Sequence, residues 1–398
     1  MKFPCIRRRP WNNRSSIGDN RDVVSLRRRA IFAALVSGLL VLALAACSGH
    51  TVGAASSGNG VQAEAAPPHP LRVVDVTVPK HLGPRRSIVV RFSAALRTDT
   101  PTPVLSPKVA GDWVITGATA RFRPAGGYPP QAKLTLTIPS GTSGVVGQAG
   151  GLLGHSKVVH AQTGTPGPLF AEQILARLHY LPLKTSAPAP TSLAQETSDV
   201  FTPPAGRFTW RFHNTPSALA SQWNPDSYNT LLQGALVDFQ HQADITADGF
   251  LGPQTWAALL RAQAANRVDP APYTYIYANL AERPQTLSVW KDGSIVITSP
   301  TNGGVPGALT PVGTFPIYER LTSTTMSGTN PDGSHYSDPG VPWVNYFSGG
   351  SAVHGFPRAS YGSPQSVGCL ELPIATAHVV FDTVGYGTLV TVYNDTDD

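Results

Sequence analysis

The sequence predicts a multidomain, mainly β chain: one β domain, a small three-helix domain and a second β domain, behind a hydrophobic leader. Three observations predict it. At 398 residues the chain is too long for one ordinary core. With 38 Gly and 37 Pro and only 14% charged residues, it suits loop-rich β domains joined by linkers better than helical bundles. Short runs of alternating polarity at both ends flank a central stretch whose apolar residues recur at helical spacing.

Residues 1–46 read as a leader. Arg27, Arg28 and Arg29 precede seventeen uncharged, mostly apolar residues that end at Cys47. A transmembrane anchor normally needs about 20 apolar residues, so a cleaved signal is preferred over an uncleaved anchor. "LAAC" at 44–47 resembles a bacterial lipobox, in which the cysteine is lipidated; Cys47 is the expected lipidation site. Residues 47–70 are small, polar and Pro-tipped, a flexible tether. The net charge of +6 also belongs to the leader, which holds nine Lys or Arg against two acids and leaves about −1 for the remainder. The basic balance is therefore no argument for nucleic-acid binding, and no zinc-knuckle spacing or phosphate-binding Gly-Lys loop supplies one.

The runs "LRVVDVTV" (71–78), "SIVVRFS" (87–93), "TARFRP" (119–124) and "KLTLTI" (133–138) predict a small antiparallel β domain over 71–163, with an immunoglobulin-like sandwich as the default architecture. Residues 168–266 predict helices. "PLFAEQILARLHYL" carries Leu169, Phe170, Ile174, Leu175 and Leu178 at helical spacing. After an insertion at 183–228, Leu232, Leu236 and Phe239 make a second stripe, and Pro253 opens a third helix with Trp256, Leu259 and Leu260 inward. Strands return over 272–393. "QTLSVWKDGSIVITSP" reads as a hairpin turning at Asp292-Gly293, and "TPVGTFPIYERL" (310–321) as an extended segment with a Gly-marked bend. The Gly-, Pro- and Asp-rich stretch 325–347 reads as a long functional loop.

Of three cysteines, Cys5 lies in the leader and Cys47 is the expected lipid carrier, which leaves Cys369 alone in an exported chain. An unpaired thiol in an oxidising compartment invites mispairing and oxidation, so function is favoured over packing. His354, fifteen positions upstream, supplies a base or a cationic partner for a thiol that is largely protonated at its ordinary pKa. Gly368 before the cysteine clears space for substrate, and its N–H with that of Cys369 can face a developing oxyanion; losing such a donor typically costs about 3 kcal/mol of barrier. Tyr336 and Trp343 are candidates for a covering lid, and Arg358 and Tyr361 for contact with an anionic peptide. His335 and His378 lack paired ligand spacing, so no metal and no cofactor is expected.

Two resemblances follow from these residues. The "FQ", "DG-x-x-GP-x-T-W" pattern at Asp248, Gly249, Gly252, Pro253, Thr255 and Trp256 resembles the three-helix peptidoglycan-binding domain. "TPVGTF", "HG" at 354–355 and "SVGC" at 366–369 resemble the L,D-transpeptidase catalytic domain over most of residues 273–393. This resemblance implies an L,D-transpeptidase-like β sandwich with Cys369 as nucleophile, His354 as base, a backbone carbonyl near Gly355 orienting the imidazole, and Ser366 near the substrate. It departs at Val367, where the family usually has histidine, and at Glu371, where Arg or Asn is common. The implied reaction is 3→3 cross-linking of peptidoglycan stem peptides through a Cys369 thioester, at the outer face of the cell membrane, with carbapenem-type β-lactams as covalent captors. Water as acceptor makes the same site an L,D-carboxypeptidase; a decayed site leaves a wall-binding scaffold.

Overall fold

The computed structural model describes residues 69–78 and 86–394. The leader, most of the tether and Cys47 lie outside the described residues. Contacts divide the chain into Met1–Ala65 and a compact unit, Ala66–Asp398.

Among the described residues seven strands come first: β1 (Val73–Thr77), β2 (Ile88–Phe92), β3 (Val104–Ser106), β4 (Gly111–Thr116), β5 (Thr119–Pro124), β6 (Lys133–Ile138) and β7 (Lys157–Gln162). They form a four-stranded sheet, β1-β2-β5-β4, and a three-stranded sheet, β3-β6-β7, with every pairing antiparallel. Alternation drives this arrangement: Ile88, Val90, Ala120, Phe122, Leu134 and Leu136 point into one core, and their neighbours point out. The sequence reading found β1, β2, β5 and β6 but not β3, β4 or β7.

The central stretch holds α1 (Leu169–Arg177), β8 (Leu183–Thr185), α2 (Leu193–Phe201), β9 (Phe208–Trp210), the short α3 (Ser217–Ala220), α4 (Thr230–Gln242) and α5 (Pro253–Ala264). Two starts carry sequence-level causes. Asn229 caps α4 by accepting from Leu232 N at 2.8 Å, and Pro253 follows the Gly252 cap of α5. The insertion at 183–228 is structured: β8 pairs with β9, and α2 packs beside α1. The "DG-x-x-GP-x-T-W" residues are tied together by one buried side chain. Gln240 donates to Asp248 Oδ1, the Phe250 carbonyl and Thr255 Oγ1, each at 2.9 Å, and accepts from Gly249 N at 2.8 Å. Gly249 has φ +71°, which favours glycine, and Trp256 is fully buried below the loop. The core of this stretch does not stop at its own helices; Tyr275, Trp290 and Leu389 of the C-terminal sheet complete it.

That last part comprises β10 (Thr274–Asn279), β11 (Thr286–Lys291), β12 (Ser294–Pro300), β13 (Gly313–Pro316), β14 (Glu319–Thr329), β15 (His335–Ser348), β16 (Ser351–Gly355), β17 (Leu370–Leu372), α6 (Ile374–Thr383) and β18 (Leu389–Tyr393). A mixed five-stranded sheet runs β12-β11-β10-β18-β13, and a four-stranded sheet runs β14-β15-β16-β17. Side chains of both sheets and of α6 share one core that includes Ile276, Val289, Val353, Leu370, Leu372, Val380 and Val390. The β11–β12 turn uses positive φ at Asp292 (+44°) and Gly293 (+97°), as the sequence predicts.

One expectation is corrected. Residues 325–347 are not a loop: β14 and β15 pair antiparallel from Glu319↔Tyr346 out to Thr329↔His335, turning at 330–334. Pro339 and Pro342 would not fit a central strand, but β15 bonds to β16 only over Asn345–Ser348. Beyond that the ribbon is two-stranded, its outer edge is unpaired, and proline costs the ladder little.

Candidate active site

The fold brings His354 and Cys369 to one place by parallel pairing. In β16 and β17, Val353 faces Leu370 and His354 faces Glu371, so Cys369 lies one residue before the strand that runs beside the histidine. Both line a cleft of about 270 Å³. Met326, Asn330, Tyr336, Asp338 and Val341 of the β14–β15 ribbon form one wall; His354, Phe356, Arg358, Gln365, Val367, Cys369 and Glu371 form the other. A second cleft, of about 390 Å³, opens beside Tyr346, Gly350 and Ser351 and shares Met326, Tyr336, Val367 and Cys369 with the first. The thiol thus stands between two approaches under the ribbon.

His354 is buried and its Nδ1 lies 3.0 Å from the Gly355 carbonyl. A carbonyl only accepts, so the proton sits on Nδ1 and Nε2 keeps its lone pair. Burial holds the imidazole below its ordinary pKa, against opposing pulls from that carbonyl and Glu371. Gly355 serves a second purpose: a Cβ there would stand 3.1 Å from Ile374 Cα and 3.3 Å from both Pro342 Cγ and Ala377 Cβ, so its bareness lets α6 close over β16.

Cys369 is partly exposed, and Sγ has the Gly350 carbonyl at 3.9 Å. Burial pushes its thiol up to about 11, opposed by a backbone bond from Ala352 and reinforced by Glu371. Both shifts favour the uncharged forms, a thiol and an imidazole, over a thiolate–imidazolium pair. Gly368 has φ +101°, a conformation L side chains rarely adopt. A Cβ there would meet nothing nearer than Ser351 Oγ at 3.5 Å, so the glycine answers a backbone requirement rather than a steric one. The N–H groups of Gly368 and Cys369 donate to no acceptor among the described residues, which leaves them for an oxyanion.

Ser366 is turned inward. Its hydroxyl donates to the Cys369 carbonyl at 2.7 Å, and Thr310 Oγ1 donates to the same oxygen at 3.1 Å. Two hydroxyls therefore fix the carbonyl of the nucleophile. Arg358 and Glu371 explain each other: the guanidinium donates from Nε at 2.8 Å and from Nη2 at 2.7 Å to the two carboxylate oxygens, and also to the Gln365 carbonyl at 3.0 Å. Glu371 is 4% exposed, and the pair forms a wall of the first cleft. Tyr361 donates to the Phe356 carbonyl at 2.6 Å and accepts from Arg358 N at 3.2 Å, so it shapes the 356–361 turn. Tyr336 borders both clefts. Trp343 borders neither; at φ +59° it stacks on His378 of α6 with centroids 3.9 Å apart.

Sequence reasoning missed Thr310, Asp338 and Asn302. Asn302 is fully buried, exchanges two 3.0 Å backbone bonds with Glu371 and accepts from Gly362 N at 2.9 Å, so it braces both Glu371 and the loop carrying Arg358. The signal was available in Asn302-Gly303-Gly304: a Cβ on Gly304 would lie 2.1 Å from the Ala308 carbonyl oxygen, an approach only glycine allows.

Residues 273–392 match the YkuD family, the L,D-transpeptidase catalytic domain. Among solved structures, the catalytic domain of an Enterococcus faecium L,D-transpeptidase is 28% identical over 31% of this chain and 100% of that chain, with a TM-score of 0.28. L,D-transpeptidase 3 from Mycobacterium tuberculosis is 14% identical, over 81% of this chain and 98% of that chain, with a TM-score of 0.28. The L,D-transpeptidase LdtMt1 in complex with imipenem is 14% identical, over 82% and 100%, with a TM-score of 0.27. No curated protein sequence matches the chain. Residues 273–392 are an L,D-transpeptidase catalytic domain, the catalytic unit of a cysteine-dependent acyltransferase.

Proposed function

We propose that the protein is an exported L,D-transpeptidase that makes 3→3 cross-links between peptidoglycan stem peptides through a thioester on Cys369. The observation that carries this reading is that Cys369 and His354 border one cleft, with Nδ1 of His354 tied to the Gly355 carbonyl. As Sγ attacks the carbonyl carbon of the third stem residue, its proton passes to Nε2 of His354. The oxyanion is received by the N–H groups of Gly368 and Cys369. The terminal D-alanine leaves with the proton from His354, and the thioester remains. A side-chain amine of a second stem then attacks, gives its proton to His354, and the thiol returns as the new amide forms. The two clefts that meet at Cys369 suit one donor and one acceptor on opposite sides. Water reaching the thioester in place of the amine yields a carboxypeptidase.

In this reading Cys47 carries lipid at the outer face of the cell membrane, residues 47–70 are the tether, and the helical stretch 168–266 helps hold the wall. Carbapenem-type β-lactams acylate Cys369, since an activated thiol near an oxyanion site opens the strained amide. The test is mass analysis of tetrapeptide muropeptides incubated with Ala66–Asp398 and with its Cys369→Ala variant. Dimers formed and D-alanine released only with the thiol present support transpeptidation. Monomeric tripeptide alone replaces it with hydrolysis. No product from folded protein leaves the scaffold.

A further inference from the structure

The near-neutral balance behind the leader hides an uneven division. Residues 71–163 contain eleven Lys or Arg and three acids, a formal +8, whereas residues 164–398 contain ten and eighteen, a formal −8. Nine of those eleven cations are described and all nine are exposed; of these nine only Arg97 forms an ion pair with a described residue, Asp99.

Three of them share the outer face of the β1-β2-β5-β4 sheet. Ile88, Val90, Ala120 and Phe122 are buried beneath it, so alternation fixes Arg91, Arg121 and Arg123 outward. Arg121 and Arg123 stand two residues apart on β5, about 7 Å by strand geometry. Arg91 lies diagonally across, since β2 pairs Val89 with Arg121 and Arg91 with Thr119. Arg123 faces Asp112 and Arg91 faces Asp75 across their ladders, yet neither pair closes to ion-pair distance, and Asp75 accepts from Thr77 at 2.7 Å instead. Arg121 has valines on both sides, Val89 and Val114. A concavity of about 340 Å³ runs along this face, lined by Val114, Thr116, Thr119, Arg121 and Arg123.

We propose that this face binds a linear, base-free polyphosphate chain, one extended strand lying in the concavity with its phosphates on the Arg121 and Arg123 guanidinium groups and reaching that of Arg91 beside it. Planar guanidinium forks engage phosphate oxygens in pairs, and the Thr116 and Thr119 hydroxyls add donors. Packing like charges on one sheet face disfavours the bare fold, which a polyanion relieves. The concavity has no aromatic side chain to stack a base, so a nucleic acid is the weaker fit. It also lacks a large apolar side chain to enter a bilayer.

The test measures binding of linear inorganic polyphosphate to Ala66–Asp398 across a salt series. The Arg91→Gln/Arg121→Gln/Arg123→Gln variant is compared with Lys108→Gln/Lys133→Gln/Lys157→Gln, which removes the same charge elsewhere in the domain. The arginine variant is expected to lose about ten- to hundredfold in affinity and about two to three from the log–log salt slope, and the lysine variant far less. Arg121→Lys, which keeps charge but removes the fork and disturbs the fold least, is expected to fall between. Equal losses in both triple variants overturn the site in favour of diffuse charge. Arginine-dependent binding to anionic vesicles or single-stranded DNA without polyphosphate binding overturns the ligand. Arginine-dependent self-association without polyphosphate binding makes the acidic part of a second copy the occupant. Cys369→Ala protein must bind equally well, which separates this inference from the transpeptidase reading.

Discussion

Replacing Glu371 by glutamine tests the electrostatics of the site most directly. The carboxylate is 4% exposed and takes bonds of 2.7 and 2.8 Å from an Arg358 side chain that is 29% exposed. Glutamine keeps the shape but sets an amide N–H₂ against a guanidinium N–H and leaves the arginine uncompensated. Breaking a fully buried pair costs about 3–5 kcal/mol; with water able to reach Arg358, about 2 kcal/mol is expected here. That corresponds to a fall in Tm of about 4–8 °C. The same change has an opposite effect on reactivity. Burial, with a smaller push from Glu371, holds the Cys369 thiol up at about 11, so little of it is thiolate at pH 7. Removing its charge and exposing that of Arg358 lowers the thiol pKa. A tenfold larger thiolate fraction, offset by weaker intrinsic nucleophilicity, gives alkylation about threefold faster at neutral pH. The assay is the iodoacetamide rate against pH for both proteins, with thermal unfolding alongside. An alkaline limb that stays in place or moves to higher pH would falsify the field assigned to Glu371, and an unchanged Tm would remove the buried pair from the account of stability.

Further outcomes are expected. Ser366→Ala loses one hydroxyl from the Cys369 carbonyl, costing about 1 kcal/mol, and Thr310→Val loses the other together with the acceptor of Gly304 N, costing about 2 kcal/mol; the double variant strands that carbonyl and is expected to cost more than the sum, measured by a denaturation cycle. Gly368→Ala forces an L side chain to φ +101°, so a loss of about 1–3 kcal/mol with slowed acylation is expected, and wild-type acylation kinetics in that variant contradict the backbone argument. Gln240→Leu removes four bonds around the 248–255 loop and is expected to cost about 3 kcal/mol with Cys369 alkylation unchanged. His354→Ala leaves the thiol without its proton acceptor; acylation by a carbapenem, followed by intact mass, is expected to slow at least about a hundredfold.

Much of this chain was legible where short-range rules operate. Period-two alternation located β5 and β6 to the residue, Asp292-Gly293 located a turn by its demand for positive φ, and Gly252-Pro253 located the start of α5. Those signals need only neighbouring residues. The lone Cys369 and its distance from His354 were equally plain, because side-chain chemistry and spacing are written in the chain. The β14–β15 ribbon was hidden because its prolines are tolerated only on an edge that the tertiary fold leaves unpaired. The partners of Ser366, Arg358 and Glu371, the stacking of Trp343 on His378 and the raised pKa of the thiol depend on which surfaces close over them. Composition alone determines that residues 71–163 are basic. That Arg91, Arg121 and Arg123 share one face was decided by strand register, since one residue of slip would have turned each of them to the other side.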